Sequence, residues 1–142
     1  VTEVRFYHNA QDRLEAACAI TTKAVRAGHK VVVFAPDAST AQRYDNLLWT
    51  RQPLSFVPHV VTSSPLAART PVLIARRAEE LVHDDLLLNL ADDLPEGYTR
   101  YAQLVEIVGT DEASRVTARE RWRFYKQQSH PVQAFDLSKG NS

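Results

Sequence analysis

Apolar positions along the chain switch period several times, between the alternation or continuous runs of strands and the three-to-four-residue recurrence of helices. Val4-Arg5-Phe6-Tyr7-His8 is β-prone, and from Asp12 apolar or small residues recur at Leu14, Ala17, Cys18, Thr21, Ala24 and Val25 in a helical period that Gly28 ends. Residues 29–35 follow as a run too continuously apolar for a half-exposed strand, which predicts a strand buried in a parallel sheet. After Pro36-Asp37, the positions Ala41, Tyr44, Leu47 and Leu48 give a second helix its buried stripe up to about Trp49. Residues 56–61 are β-prone again, with Pro58 pointing to an edge strand or a bulge. Residues 62–70 read as a loop and Val72-Leu73-Ile74-Ala75 as a core strand. Residues 86–91 fit a strand or a buried helix, and their length favours the strand. Pro95-Glu96-Gly97 turns the chain, and residues 104–108 look like the last core strand. Thr110 or Asp111 can cap a final helix that runs to about Gln128 and stops before Pro131. This alternation predicts an α/β fold, a three-layer sandwich with a mainly parallel sheet.

A chain of 142 residues with 44% hydrophobic content is enough for one core. We expect a single domain over residues 1–137 and a flexible tail over 138–142. No window approaches the roughly 18 apolar residues of a membrane span, and no basic-then-apolar signal pattern opens the chain, so a cytoplasmic protein without membrane contact is expected. The single cysteine, Cys18, lies on an apolar helix face and reads as a small buried hydrophobe. The formal net charge of zero hides a separation. Arg115, Arg119, Arg121, Arg123 and Lys126 face one acid, Glu120, so that segment carries +4 and the rest of the chain −4. Glu79, Glu80, Asp84, Asp85, Asp92, Asp93 and Glu96 occupy a stretch with no Lys or Arg. Such a division suits two different neighbours.

An α/β pattern invites a nucleotide-binding or enzymatic reading, and the parts for it are missing. Of the four glycines, none opens a helix after the first strand in a phosphate-cradling arrangement, so the sheet lacks a phosphate loop and no cofactor is expected. The five histidines lack the i, i+4 spacing that places two imidazoles on one metal, so no metal site is expected. Ser63-Ser64 and Ser114 have no nucleophile-elbow context, and the adjacent acids Asp84-Asp85 and Asp92-Asp93 read as a solvated face. The expectation is therefore a protein that is not an enzyme.

Two constellations remain. On the final helix Arg115, Arg119, Trp122, Arg123 and Lys126 fall at offsets that form one stripe, with Phe124, Ala113 and Thr117 opposite and Val116 towards their side, free to bury against the sheet. An indole framed by cations suits an acidic peptide with an aromatic end, since guanidiniums take carboxylates bidentately and the ring walls an apolar pocket. Nucleic acid is the rival ligand, and a solvated cationic face with Trp122 tucked into the core is the structural alternative. The second constellation, Trp49, Phe56 and Pro58 around a helix-to-strand connection, either caps the core or forms an apolar partner surface.

The spacing Tyr44-Asp45-x-x-Leu48-Trp49 followed by Phe56-Val57-Pro58-His59, with the terminal Ala118-Arg119-Glu120-Arg121-Trp122-Arg123-x-Tyr125, resembles the chi subunits of the bacterial DNA polymerase III holoenzyme. Phe6-Tyr7, the Ala-rich first helix and residues 28–35 fit the same pattern, whereas residues 62–97 carry only its rhythm. The resemblance implies a nucleotide-binding-like fold without nucleotide chemistry, and a non-catalytic adaptor that bridges a psi subunit of the clamp loader and the acidic C-terminal tail of single-stranded DNA-binding protein. By the same resemblance the tail is held by Arg115, Arg119, Trp122 and Arg123, with Val108 near the pocket for its terminal phenylalanine. Trp122 stands where the family often has Tyr, and Arg115 and Arg123 where Lys is common. The psi-facing surface maps onto Trp49, Phe56 and Pro58, a surface also implicated in contact with a helicase, and DNA is reached only indirectly.

Overall fold

Continuous apolar runs bury on both faces, and that requirement organises the chain. The computed structural model describes residues 2–50, 59–61, 71–77 and 84–139. Among them, in chain order, are β1 (Glu3–Ala10), α1 (Arg13–Arg26), β2 (Val31–Phe34), α2 (Ala38–Thr50), β3 (His59–Val61), β4 (Val72–Ala75), β5 (Leu86–Asn89), β6 (Gln103–Gly109), α3 (Glu112–Gln127) and β7 (Val132–Asp136). The strands form one sheet in the order β3-β4-β2-β5-β6-β1-β7, and every ladder in it is parallel.

Alternate residues of each central strand enter opposite cores. Val31, Val33, Val72, Ile74, Leu86, Leu88, Val105 and Ile107 pack under α1 and α2, against Leu14, Cys18, Tyr44 and Leu48. Val4, Phe6, Val32, Leu73, Leu87, Leu104 and Val108 pack on the other side, where α3 contributes Ala118, Trp122 and Tyr125. The result is the expected α/β sandwich, with the sheet between two helical layers. The stripe expected for α2 is present, with Tyr44 fully buried and its phenol 2.6 Å from the Thr21 hydroxyl of α1. Burial drives that phenol's pKa far above its ordinary value. Residues 86–89 are strand, as their length argued, and β3 is an edge strand.

The helices begin and end on local chemistry. Asp12 accepts from the amides of Leu14 and Glu15 at the start of α1, and Asp111 accepts from the Ser114 amide and hydroxyl at the start of α3. Gly28, with φ of +94°, makes the left-handed turn that leads from α1 into β2.

Two expectations need correction. Residues 104–108 are the last core strand but not the last strand: β7, which the sequence reading did not include, follows α3 and adds to the sheet edge beside β1. Its pattern is weak because an edge strand with one uncovered side carries few inward residues. The face that α3 turns to the sheet is not Phe124, Ala113 and Thr117, since Phe124 is 39% and Val116 43% exposed, and Ala113 and Thr117 are exposed too. Tyr125 is buried, flanked by the half-buried Ser114, Ala118, Arg121 and Trp122. An arginine on the inner face defeats a reading by hydropathy, and its reason lies on β6, described below. The expected tail starts within a single 3-10 turn, Leu137–Lys139, and residues 140–142 lie outside the described residues.

Candidate functional site

The β6–α3 connection sets the site. Gly109 ends β6, and a methyl group there would come within 2.9 Å of the capping carboxylate of Asp111. The strand passes directly into the helix through this tight turn, and α3 packs against β6 and β7. Beneath α3, Glu106 is buried at the middle of β6, 5% exposed. Arg121 Nη1 donates to both its oxygens at 2.8 Å, and the Tyr125 hydroxyl donates to Oε2 at 2.5 Å. Asn89 of β5 donates to Oε1 at 3.4 Å. Burial, and then the neighbouring Glu106 carboxylate, push the Tyr125 phenol far above its ordinary pKa, so it stays a donor. This network fixes the rotation of α3 about its axis.

With that rotation fixed, Arg115, Arg119 and Arg123 project to solvent along one edge of α3 and Trp122 lies at the boundary. Its ring meets Phe6 at a centroid distance of 5.3 Å, and the Lys126 ammonium lies 5.7 Å from its centroid. The indole is thus neither free nor tucked wholly into the core. Between α3 and the ends of β1 and β7 opens a cleft of about 470 Å³. Phe6, Val108, Ala118 and Trp122 give it apolar walls, and Arg115, Arg119 and Arg123 stand around it. All five residues assigned by resemblance to tail binding, Val108, Arg115, Arg119, Trp122 and Arg123, line this one cleft. A smaller cleft of about 290 Å³ shares Phe6, Val108 and Ala118, but mixes Arg13 and Arg121 with Asp92 and Asp111.

The residues proposed for the second partner are not brought together by what is described. Trp49 belongs to the last turn of α2, and Phe56 and Pro58 lie outside the described residues. Lys126, part of the cationic stripe, touches Trp122 without lining the cleft. Sequence reasoning missed His8, Asn9 and Ala134, which line it from the sheet. The alternation of β1 held a signal for His8, since Phe6 and His8 share a face, but nothing announced that β7 would supply the outer wall. Asn9 sits at a bulge of β1 with φ of +62°, a conformation asparagine tolerates, and its amide donates to Asp136 of β7 at 2.9 Å. Ser138 binds the same carboxylate through hydroxyl and amide, and together these bonds hold the Asp136 pKa down to about 2. Among the described residues no group of three or more His, Cys, Asp or Glu is placed to hold a metal ion, and no described helix is long and apolar enough to cross a membrane.

Fold and cleft together define an α/β protein with an all-parallel sheet among the described residues and a cleft that is apolar at its base and cationic around it. The chain belongs to the DNA polymerase III chi subunit family, whose profile, described as "DNA polymerase III chi subunit, HolC", matches residues 1–133. It is similar to the DNA polymerase III subunit chi of Pseudomonas aeruginosa, at 31% identity over 137 residues that cover 94% of this chain and 95% of the relative. It is also similar to the subunits of the same name from Haemophilus influenzae, 33% over 128 residues covering 89% and 85%, and Escherichia coli, 28% over 113 residues covering 79% and 77%. Membership makes it a replication protein.

Proposed function

We propose that this chain is a non-catalytic, cytoplasmic adaptor of the replicative polymerase, joining a psi-like subunit of the clamp loader to the acidic C-terminal tail of single-stranded DNA-binding protein. The observation that carries this reading is the convergence of Val108, Arg115, Arg119, Trp122 and Arg123 on one cleft. Its apolar walls accept an aromatic side chain, while the guanidiniums meet the carboxylates that flank it. The psi-like partner, or a helicase, is assigned to Trp49, Phe56 and Pro58, and DNA is engaged only through the bound tail.

Titration of a synthetic Asp-rich peptide ending in phenylalanine tests the reading. The free-acid peptide binds and its C-terminal amide binds at least tenfold more weakly, because one charge-assisted contact at an interface is worth on the order of 2 kcal/mol or more. The exposed cations of α3 also favour a second reading, direct binding of nucleic-acid phosphate. Equal affinity for the two peptides, or single-stranded DNA bound as tightly as the free acid, selects that second reading instead.

A further inference from the structure

We infer that His8 reads the terminal carboxylate of the bound peptide and makes its affinity depend on pH, an inference that rests on the tail-binding reading above. The terminal residue of a peptide carries its ring and its carboxylate on the same Cα, so a ring seated among Phe6, Val108 and Trp122 leaves its carboxylate beside the sheet. Two residues beyond Phe6 on the same face of β1, a rise of roughly 6.5 Å, stands His8, half-buried and lining the cleft. Among the described residues its imidazole has no hydrogen-bond partner. Asn9, beside it, already donates to Asp136.

The charged groups that face His8 come from two elements. Asp136 of β7 lies opposite it in register and close enough for the imidazole to favour its ionised form. Arg115, Arg119 and Arg123 face the same cleft from α3. The end of β6 adds only Val108 and Gly109. The Asp136 carboxylate is taken up by Asn9 and Ser138, so the anion that satisfies the imidazole comes with the ligand. A carboxylate favours imidazolium over imidazole, hence the peptide binds with uptake of a proton and its affinity is higher in acid than in alkaline solution.

The experiment is a titration of the full chain with the Asp-rich, phenylalanine-ended peptide at about pH 5.5 and pH 8, as free acid and as amide, for wild type, His8→Gln and Arg119→Ala. The wild type should bind the free acid about five- to tenfold tighter at the lower pH, the gain of one charge-assisted hydrogen bond, with no such gain for the amide. His8→Gln keeps a neutral donor and should change affinity less than about twofold between the two conditions. Equal pH dependence in wild type and His8→Gln, with Arg119→Ala still weakening the peptide, overturns the role of His8 and leaves the cleft assignment standing. A wild type that binds the peptide at neither pH overturns both.

Discussion

Arg119 and Arg121 stand two positions apart on α3 and serve different ends. Arg121 turns inward to Glu106, with side-chain exposures of 14% and 7% for the pair, so removing one partner strands a charge in the core. Arg121→Ala is expected to lose about 3–5 kcal/mol of stability, read as a lowered melting temperature, while the double change Arg121→Met with Glu106→Leu recovers much of it. Arg119 is well exposed and holds only a loose contact of 3.6 Å with Glu112, so Arg119→Ala should leave the melting temperature within about 2 °C and spend its effect on peptide binding. Salt separates the apolar and ionic parts of that binding. Raising ionic strength should weaken wild type and Trp122→Ala steeply and Arg119→Ala less, since the last has already lost a screened contact. The outward arginines were legible from their spacing alone. Their inward neighbour was not, because a cation on a buried face has no hydropathic signature until its carboxylate partner, 15 positions earlier, is placed under it.

Elements were legible where both faces of a strand are buried and ambiguous where one is not. β2 and β4 announce themselves as continuous apolar runs, β5 fits a strand or a buried helix until its length is weighed, and β6 is apolar from Leu104 to Val108 but for Glu106, whereas β7 reads Val-Gln-Ala-Phe-Asp, with Gln133 and Ala134 exposed. It is held instead by its ladder to β1 and by the Asp136 latch to Asn9 and Ser138. The latch carries a definite pH sign. The folded pKa of about 2 lies below the ordinary carboxylate value near 3.9, so the latch stabilises fully above that value and is lost as the pH falls toward 2. Urea titrations between pH 4 and 2 should show a steeper loss for wild type than for Asp136→Asn. At the other end of the cleft, the β6–α3 turn depends on Gly109. Gly109→Ala must displace the Asp111 cap, which costs about 1 kcal/mol, and should lower both the urea midpoint and the peptide affinity because α3 forms one wall of the cleft.

At the scale of the molecule, the cleft and strand β3 stand at opposite edges of the sheet. The cleft lies beside β1 and β7 at one edge, while α2 with Trp49 leads toward β3 at the other. Phe56→Ala should therefore weaken capture of a psi-like subunit in a pull-down and leave tail-peptide affinity unchanged within about twofold. A large fall in melting temperature for that variant would return Phe56 to the core, where loss of a buried phenylalanine costs about 3–5 kcal/mol. The fold class was readable from period changes along the chain. The motifs at residues 44–59 and 118–125 carried the family resemblance, which the match over residues 1–133 establishes.

The claim that this cleft is the tail site is tested most directly by the backbone amide spectrum of the full chain, titrated with the free-acid peptide. Resonances of His8, Asn9, Val108, Gly109 and residues 115–123 should shift together at one affinity, with α1 and its core under Cys18 unmoved. Shifts centred on α2 and β3, or scattered without saturation along the cationic edge of α3, would contradict the assignment.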